Sequence, residues 1–222
     1  MTKYSEYKSD LLNHVRLLSE HGYLSAMMGT GGNVSVRIKG ENAFAITPSG
    51  MPYKNLTSDD ICILDFEKNQ IEGTHAPSME SGMHVAIYKR RPDVNAVVHT
   101  HQNKGSLFSV INLPIPALFD EVCINIGEIV DVVPYAFSGS QELAENVAGK
   151  LDNNCHCYIL QNHGVLCLGH TIERACLNVE LLERVATVYA DALFTGREIS
   201  TLPEETVNRV KLTRKGSQKD RG

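Results

Sequence analysis

His99 and His101 stand two positions apart, directly after the apolar run Ala96-Val97-Val98 in "AVVHTHQ" (96–102). On an extended strand, residues i and i+2 leave the same face. The pair therefore presents two imidazoles side by side, a donor set that zinc accepts. It reads equally as two polar residues closing a buried strand. His163 in "CYILQNHG" (157–164) repeats the pattern, and the Gly164 that follows it permits close backbone approach. Three histidines would leave a tetrahedral ion one open position, the mark of a catalytic rather than a structural site. The carboxylate that would offset the charge is Glu80 in "APSMESGMH" (76–84). Glu80 also has a plainer reading, with Ser78 capping a helix and an acid in the first turn complementing its dipole.

The glycine-rich "GTGGNVSVR" (29–37) precedes a strand instead of leaving one and opening a helix. It is therefore not a dinucleotide fingerprint, and it lacks the Gly-Lys-Ser/Thr of a P-loop. What it offers is either an anion nest of backbone N–H groups or a tight helix-to-strand turn. "TPSG" (47–50) and Ser78 at a helix start are further candidate phosphate donors. Cys155-His156-Cys157 has no second cysteine pair at suitable spacing, so it reads as a strand start rather than a metal knuckle. Cys157 and Ile159 would then share one face.

The elements that must position these groups follow from periodicity. Leu11, Leu12, Val15, Leu17 and Leu18 make a helical stripe that stops at Gly22. "VSVRI" and "FAITP" pair across "KGEN", and "ICILDF" is another strand. Met79, Met83, Ala86 and Ile87 have helical spacing, ended before Pro92. "NAVVHTH" is a short buried strand, "KGSLFSVIN" a short helix, "IPAL" a short strand, and 140–151 a helix opened by Ser140. "CYILQNHGVLCLG" is two strands hinged at Asn162-His163-Gly164. A long helix covers Ile172 to Thr195, and Pro203 opens a last helical piece.

At 222 residues, with 42% apolar and 21% charged side chains, the chain suits one mixed α/β domain. That domain spans 1–210, and 211–222 forms a basic, flexible tail. The net charge of −5 offers no footprint for nucleic acid. No apolar run approaches a membrane span, and the amino terminus does not read as a signal peptide. The six cysteines sit mostly in apolar runs, as reduced cysteines of a cytoplasmic protein do.

Taken together, "GTGGNVSVR", "ITPSGMPY", "PSMES", "RPDVNAVVHTH" and "QNHG" occur in the order and spacing of the class II aldolase/adducin family. The chain resembles that family over roughly residues 5 to 200, nearest its L-fuculose-1-phosphate aldolases. The resemblance implies a single-domain three-layer fold with a mixed, largely antiparallel central sheet flanked by helices. It also implies a homotetramer with active sites between subunits. His99, His101 and His163 would bind Zn2+ or another divalent first-row ion, with Glu80 as fourth ligand and catalytic base. Gly32, Asn33, Ser49, Gly50 and Ser78 would hold a substrate phosphate. His14, His21, His75, His84, His156 and His170 match none of the metal positions.

The implied reaction is retro-aldol cleavage of a ketose 1-phosphate to dihydroxyacetone phosphate and an aldehyde. A decarboxylase of a phosphorylated sugar oxo acid is the enzymatic alternative, and an adducin-like assembly scaffold the non-enzymatic one. The family's epimerases typically carry Asp where this chain has Glu80. Three positions depart from the fuculose-phosphate pattern. Met79 replaces a second phosphate-binding serine, and Asp120 replaces a tyrosine that handles the aldehyde oxygen's proton. No tyrosine follows Tyr189 to close the site. Asp120 is thus a replacement catalytic acid, a residue that reads a different aldehyde tail, or a solvated loop residue beside Glu121.

Overall fold

The computed structural model describes residues 3–24 and 31–219, with backbone alone from 214 onward. In chain order these form α1 (Ser5–Glu20), β1 (Asn33–Arg37), β2 (Ala43–Ile46), β3 (Cys62–Asp65), β4 (Gln70–Glu72) and α2 (Ser81–Arg90). There follow β5 (Ala96–Thr100), α3 (Asn103–Ile111), β6 (Ile115–Pro116), α4 (Asp120–Asn125), β7 (Ile129–Val133) and α5 (Gln141–Lys150). β8 (Cys157–Leu160), β9 (Gly164–Gly169), α6 (Ile172–Phe194) and α7 (Glu204–Lys219) complete the fold. Part of the glycine-rich stretch, residues 29 and 30, lies outside the described residues.

The strands make one nine-stranded sheet in the order β4-β3-β2-β1-β5-β9-β8-β7-β6. All pairs are antiparallel except β7 with β8. β5, the strand of the histidine pair, lies in the middle and is buried along its whole length. A strand covered on both faces needs the continuous apolar run seen in the sequence. Alternation then sorts the core into two layers. Ala96, Val98, Val165 and Cys167 face α1 and α6, whereas Val97, Leu166 and Leu168 face α2 and α5. His99 follows Val97 by two and so points toward α2. This is the expected three-layer α/β architecture with a mixed, largely antiparallel sheet.

Sequence and structure differ in places. Leu17 is 42% exposed and outside the α1 stripe; Leu11, Leu12, Val15 and Leu18 are buried. Helix α1 stops as expected, with Gly22 at a φ of 77° and the Tyr23 N–H donating to the Leu18 carbonyl. α2 begins at Ser81, so Met79 sits in a turn before it and is 73% exposed. The Ser81 N–H and hydroxyl both donate to the Ser78 carbonyl, which fixes that turn. Asp120 and Glu121 open the helix α4 instead of lying in a loop. The basic segment from 211 continues α7 as far as Lys219, and Lys211 pairs with Glu128 at 2.6 Å. Among the described residues, no helix is long and apolar enough to cross a membrane.

Candidate metal centre and phosphate cleft

Register brings the histidines together. β5 pairs with β9 so that Thr100 faces Val165, one residue after Gly164. That pairing carries His163, in the β8–β9 turn, to the end of β5. A side chain at 164 could not be accommodated: its Cβ would lie 2.5 Å from the Thr100 carbonyl oxygen and 2.7 Å from the His101 ring. The result is a ring cluster with centroids 4.7 Å (His99–His163), 4.8 Å (His99–His101) and 5.2 Å (His101–His163) apart. His99 is fully buried, and His101, just past the strand end, is exposed.

Glu80 reaches the cluster from the N-terminus of α2. Its Oε2 lies 3.3 Å from His99 Nε2, and its Oε1 lies 3.4 Å from His163 Nε2. His99 Nδ1 is 2.9 Å from the Val165 carbonyl and donates to it, which leaves the Nε2 lone pair aimed inward. His101 Nε2 is 3.0 Å from that atom. Burial pushes the His99 pKa down to about 3 and lowers that of His101, so both rings are neutral, as ligands must be. Burial pushes the Glu80 carboxyl up, but the facing His99 and His163 and the Asn33 amide bring it below its ordinary value.

The donor set fits a metal ion. The three histidines offer ligand atoms within 4.8 Å of one another. Glu80 Oε1 and His163 Nδ1 are buried with no hydrogen-bond partner. A buried carboxylate oxygen facing imidazole lone pairs is costly unless a cation sits between them. A second group, Asp10, His14 and Glu173, lacks this character: it is partly exposed, and His14 Nδ1 already lies 2.9 Å from the Asp10 carbonyl.

Beside the ring cluster lies a cleft of about 180 Å3. Gly32, Asn33, Ser49, Gly50, Ser78 and Glu80 all line it, together with His101 and His163. An antiparallel bridge between Pro48 and Pro77 joins its two serine-bearing segments, with Ser49 N–H on the Ala76 carbonyl and Ser78 N–H on the Thr47 carbonyl. Gly32 has a φ of 83°, and a Cβ there would collide with the His99 carbonyl. The Tyr53 hydroxyl donates to the Gly32 carbonyl and fixes that turn. A larger groove of about 620 Å3, between α2 and α5, has no histidine in its lining.

Asp120 does not join the site within one chain; it is exposed at the start of α4. Sequence reasoning missed two cleft neighbours. Ser138, whose Oγ lies 3.2 Å from His163 Nε2, has no distinguishing sequence signal. His84 stands four residues after Glu80, a spacing that puts both on one helix face and could have revealed it. Its Nε2 is 2.5 Å from Asn33 Oδ1.

Fold and site together define the scaffold of a metal-dependent lyase family. The sequence profile described as Class II Aldolase and Adducin N-terminal domain matches residues 9–190, and the chain belongs to that family. It is 36% identical over 184 residues to an L-fuculose phosphate aldolase of Escherichia coli, covering 83% of this chain and 84% of that one. With an L-fuculose phosphate aldolase of Methanococcus maripaludis it shares 38% over 178 residues, 80% of this chain and 93% of the relative. A solved L-fuculose 1-phosphate aldolase superposes with a TM-score of 0.85 at 30% identity, covering 97% and 98% of the two chains.

Proposed function

We propose that this protein is a cytoplasmic zinc-dependent aldolase that cleaves a ketose 1-phosphate, L-fuculose 1-phosphate or a close analogue, to dihydroxyacetone phosphate and an aldehyde. The observation that carries this reading is the buried Glu80 carboxylate, with Oε1 unpartnered, set against His99 and His163 of a three-imidazole cluster at the end of a serine- and glycine-lined cleft. His99, His101, His163 and Glu80 would hold the ion, whose contribution is Lewis acidity toward a ketone oxygen and its neighbouring hydroxyl.

The remaining work falls to side chains and backbone. Gly32, Asn33, Ser49, Gly50 and Ser78 bind the phosphate and so orient the carbon chain toward Glu80. In the cleavage direction the C4 hydroxyl gives up its proton, the C3–C4 bond breaks and its electron pair stays on C3. Glu80, a carboxylate at rest, would take up a proton from solvent once substrate is bound and deliver it to C3, completing dihydroxyacetone phosphate and returning to the carboxylate. Asp120 handles the aldehyde-side proton from a neighbouring subunit of a homotetramer, since it lies away from the cleft of its own chain.

Purified protein is expected to hold stoichiometric zinc and to release dihydroxyacetone phosphate from L-fuculose 1-phosphate. Glu80→Gln should keep the metal and lose at least about 10²-fold in turnover. Near-normal turnover by zinc-loaded Glu80→Gln would refute the assignment.

A further inference from the structure

Asn33, Ser35 and Arg37 alternate along β1 and face α2. Two strand residues advance about 6.7 Å, and four helix residues advance about 6.0 Å. The two elements therefore stay in step, and each β1 side chain meets successive turns of α2. Asn33 Nδ2 donates to Glu80 Oε2 at 2.7 Å, and Asn33 Oδ1 lies 2.5 Å from His84 Nε2. Ser35 Oγ lies 2.6 Å from His84 Nδ1 and 2.7 Å from the Tyr88 hydroxyl. Arg37 donates to the Tyr88 carbonyl at 2.6 Å and to the Arg91 carbonyl at 3.2 Å, closing the end of α2. Asn33, Ser35, His84 and Tyr88 are all buried.

The protons along this ladder can be ordered in one direction only. Glu80 is a carboxylate and accepts, so the Asn33 amide must turn its N–H to Glu80 and its carbonyl to His84. His84 Nε2 then carries the ring's proton. The ring is fully buried and its Nδ1 meets only the Ser35 hydroxyl, so Nε2 holds the single ring proton and Nδ1 accepts. Ser35 must donate to that nitrogen, and its oxygen is free to accept from Tyr88. The order Tyr88, Ser35, His84, Asn33, Glu80 follows.

We propose that Ser35, His84 and Tyr88 are positioning residues for Glu80, locking the Asn33 amide so that it offers a donor to Oε2 and leaves the Oε1 lone pairs for the metal. Reversal of the amide would set its carbonyl against the carboxylate, and the ladder forbids it. Asn33 thereby serves Glu80 with its side chain, keeping one amide N–H for the cleft. The inference rests on the reading of Glu80 as a ligand.

Its test is Co2+ binding, measured by chelator competition and by the visible spectrum of the Co2+ form, with thermal midpoints in parallel. His84→Asn reaches Ser35 but not Asn33; it should weaken Co2+ binding about 10- to 100-fold, as loss of an outer-shell partner does. His84→Gln places an amide N–H near the site of Nε2 and should restore affinity and spectrum toward wild type. Ser35→Ala, which leaves the ring in place, should weaken binding in the same direction. Equal affinities for the Asn and Gln variants, or wild-type binding by Ser35→Ala, would overturn the positioning role while leaving the metal site standing. A wild-type protein that binds no Co2+ would overturn the functional reading and this inference with it.

Discussion

Gly164→Ala tests whether strand register builds the metal site. The new Cβ would stand 2.5 Å from the Thr100 carbonyl oxygen, 2.7 Å from His101 Cδ2 and 3.2 Å from His99 Cε1. Ordinary contact begins near 3.4 Å, so the first two neighbours must retreat by about 0.9 Å and about 0.7 Å. The Thr100 oxygen belongs to the β5 backbone and cannot swing aside alone. Relief therefore parts β5 from β9 or rotates the His101 ring. Metal sites tolerate ligand errors of about 0.2 Å, so the displacement exceeds the tolerance severalfold. Zinc affinity should fall by about 10²-fold or more, whereas overpacking should cost about 1–3 kcal/mol of stability. Chelator competition and urea unfolding of the same preparations separate the two effects. Wild-type zinc affinity in a folded Gly164→Ala protein would refute the claim that this glycine sets the ligand geometry.

Two further outcomes follow from the same structure. His84 and His99 have pKa values depressed to about 4 and about 3, so between pH 6.5 and 4 the unfolded chain binds protons that the fold excludes. Stability of the metal-free protein should thus be full above pH 7 and fall with acidification, by about 2 kcal/mol per histidine at pH 5. A urea midpoint that stays constant from pH 7 to pH 5 would contradict that burial. Asp120→Asn should lower kcat on the true substrate while leaving zinc content unchanged, and wild-type kinetics would remove Asp120 from the mechanism.

Much of this arrangement was legible because its signals are local. "AVV" before His99 needs a strand covered on both faces, and β5 is the middle strand. The glycines at 32 and 164 stand where backbones approach too closely for a side chain. Elements whose burial depends on distant partners were not legible. β4 is a mostly exposed three-residue edge strand, and α4 is under two turns long. β7 takes its place from parallel pairing with β8 and shows no clean alternation in burial. Helical spacing started the helix at Met79, but the Ser78 turn delays it to Ser81 and leaves Met79 exposed at the cleft rim. The ladder from β1 to α2 was hidden for another reason. "VSVRI" reads as an alternating strand after a glycine-rich turn, and only the packed helix shows that the polar side chains of Asn33, Ser35 and Arg37 are engaged inside the protein.

The β5–β9 pairing joins residues more than sixty positions apart, and Glu80 is brought in by yet another element. In an unfolded chain only His99 and His101 are neighbours, and His163 and Glu80 are far from them along the sequence. A cation that needs all four can therefore recognise only the finished fold, and its binding pulls the folding equilibrium by mass action. At free metal about a thousandfold above the dissociation constant, this adds about 4 kcal/mol to stability. Holding the ion as proposed, the same histidines and carboxylate that would activate a substrate would also make the persistence of the folded protein depend on the supply of that ion.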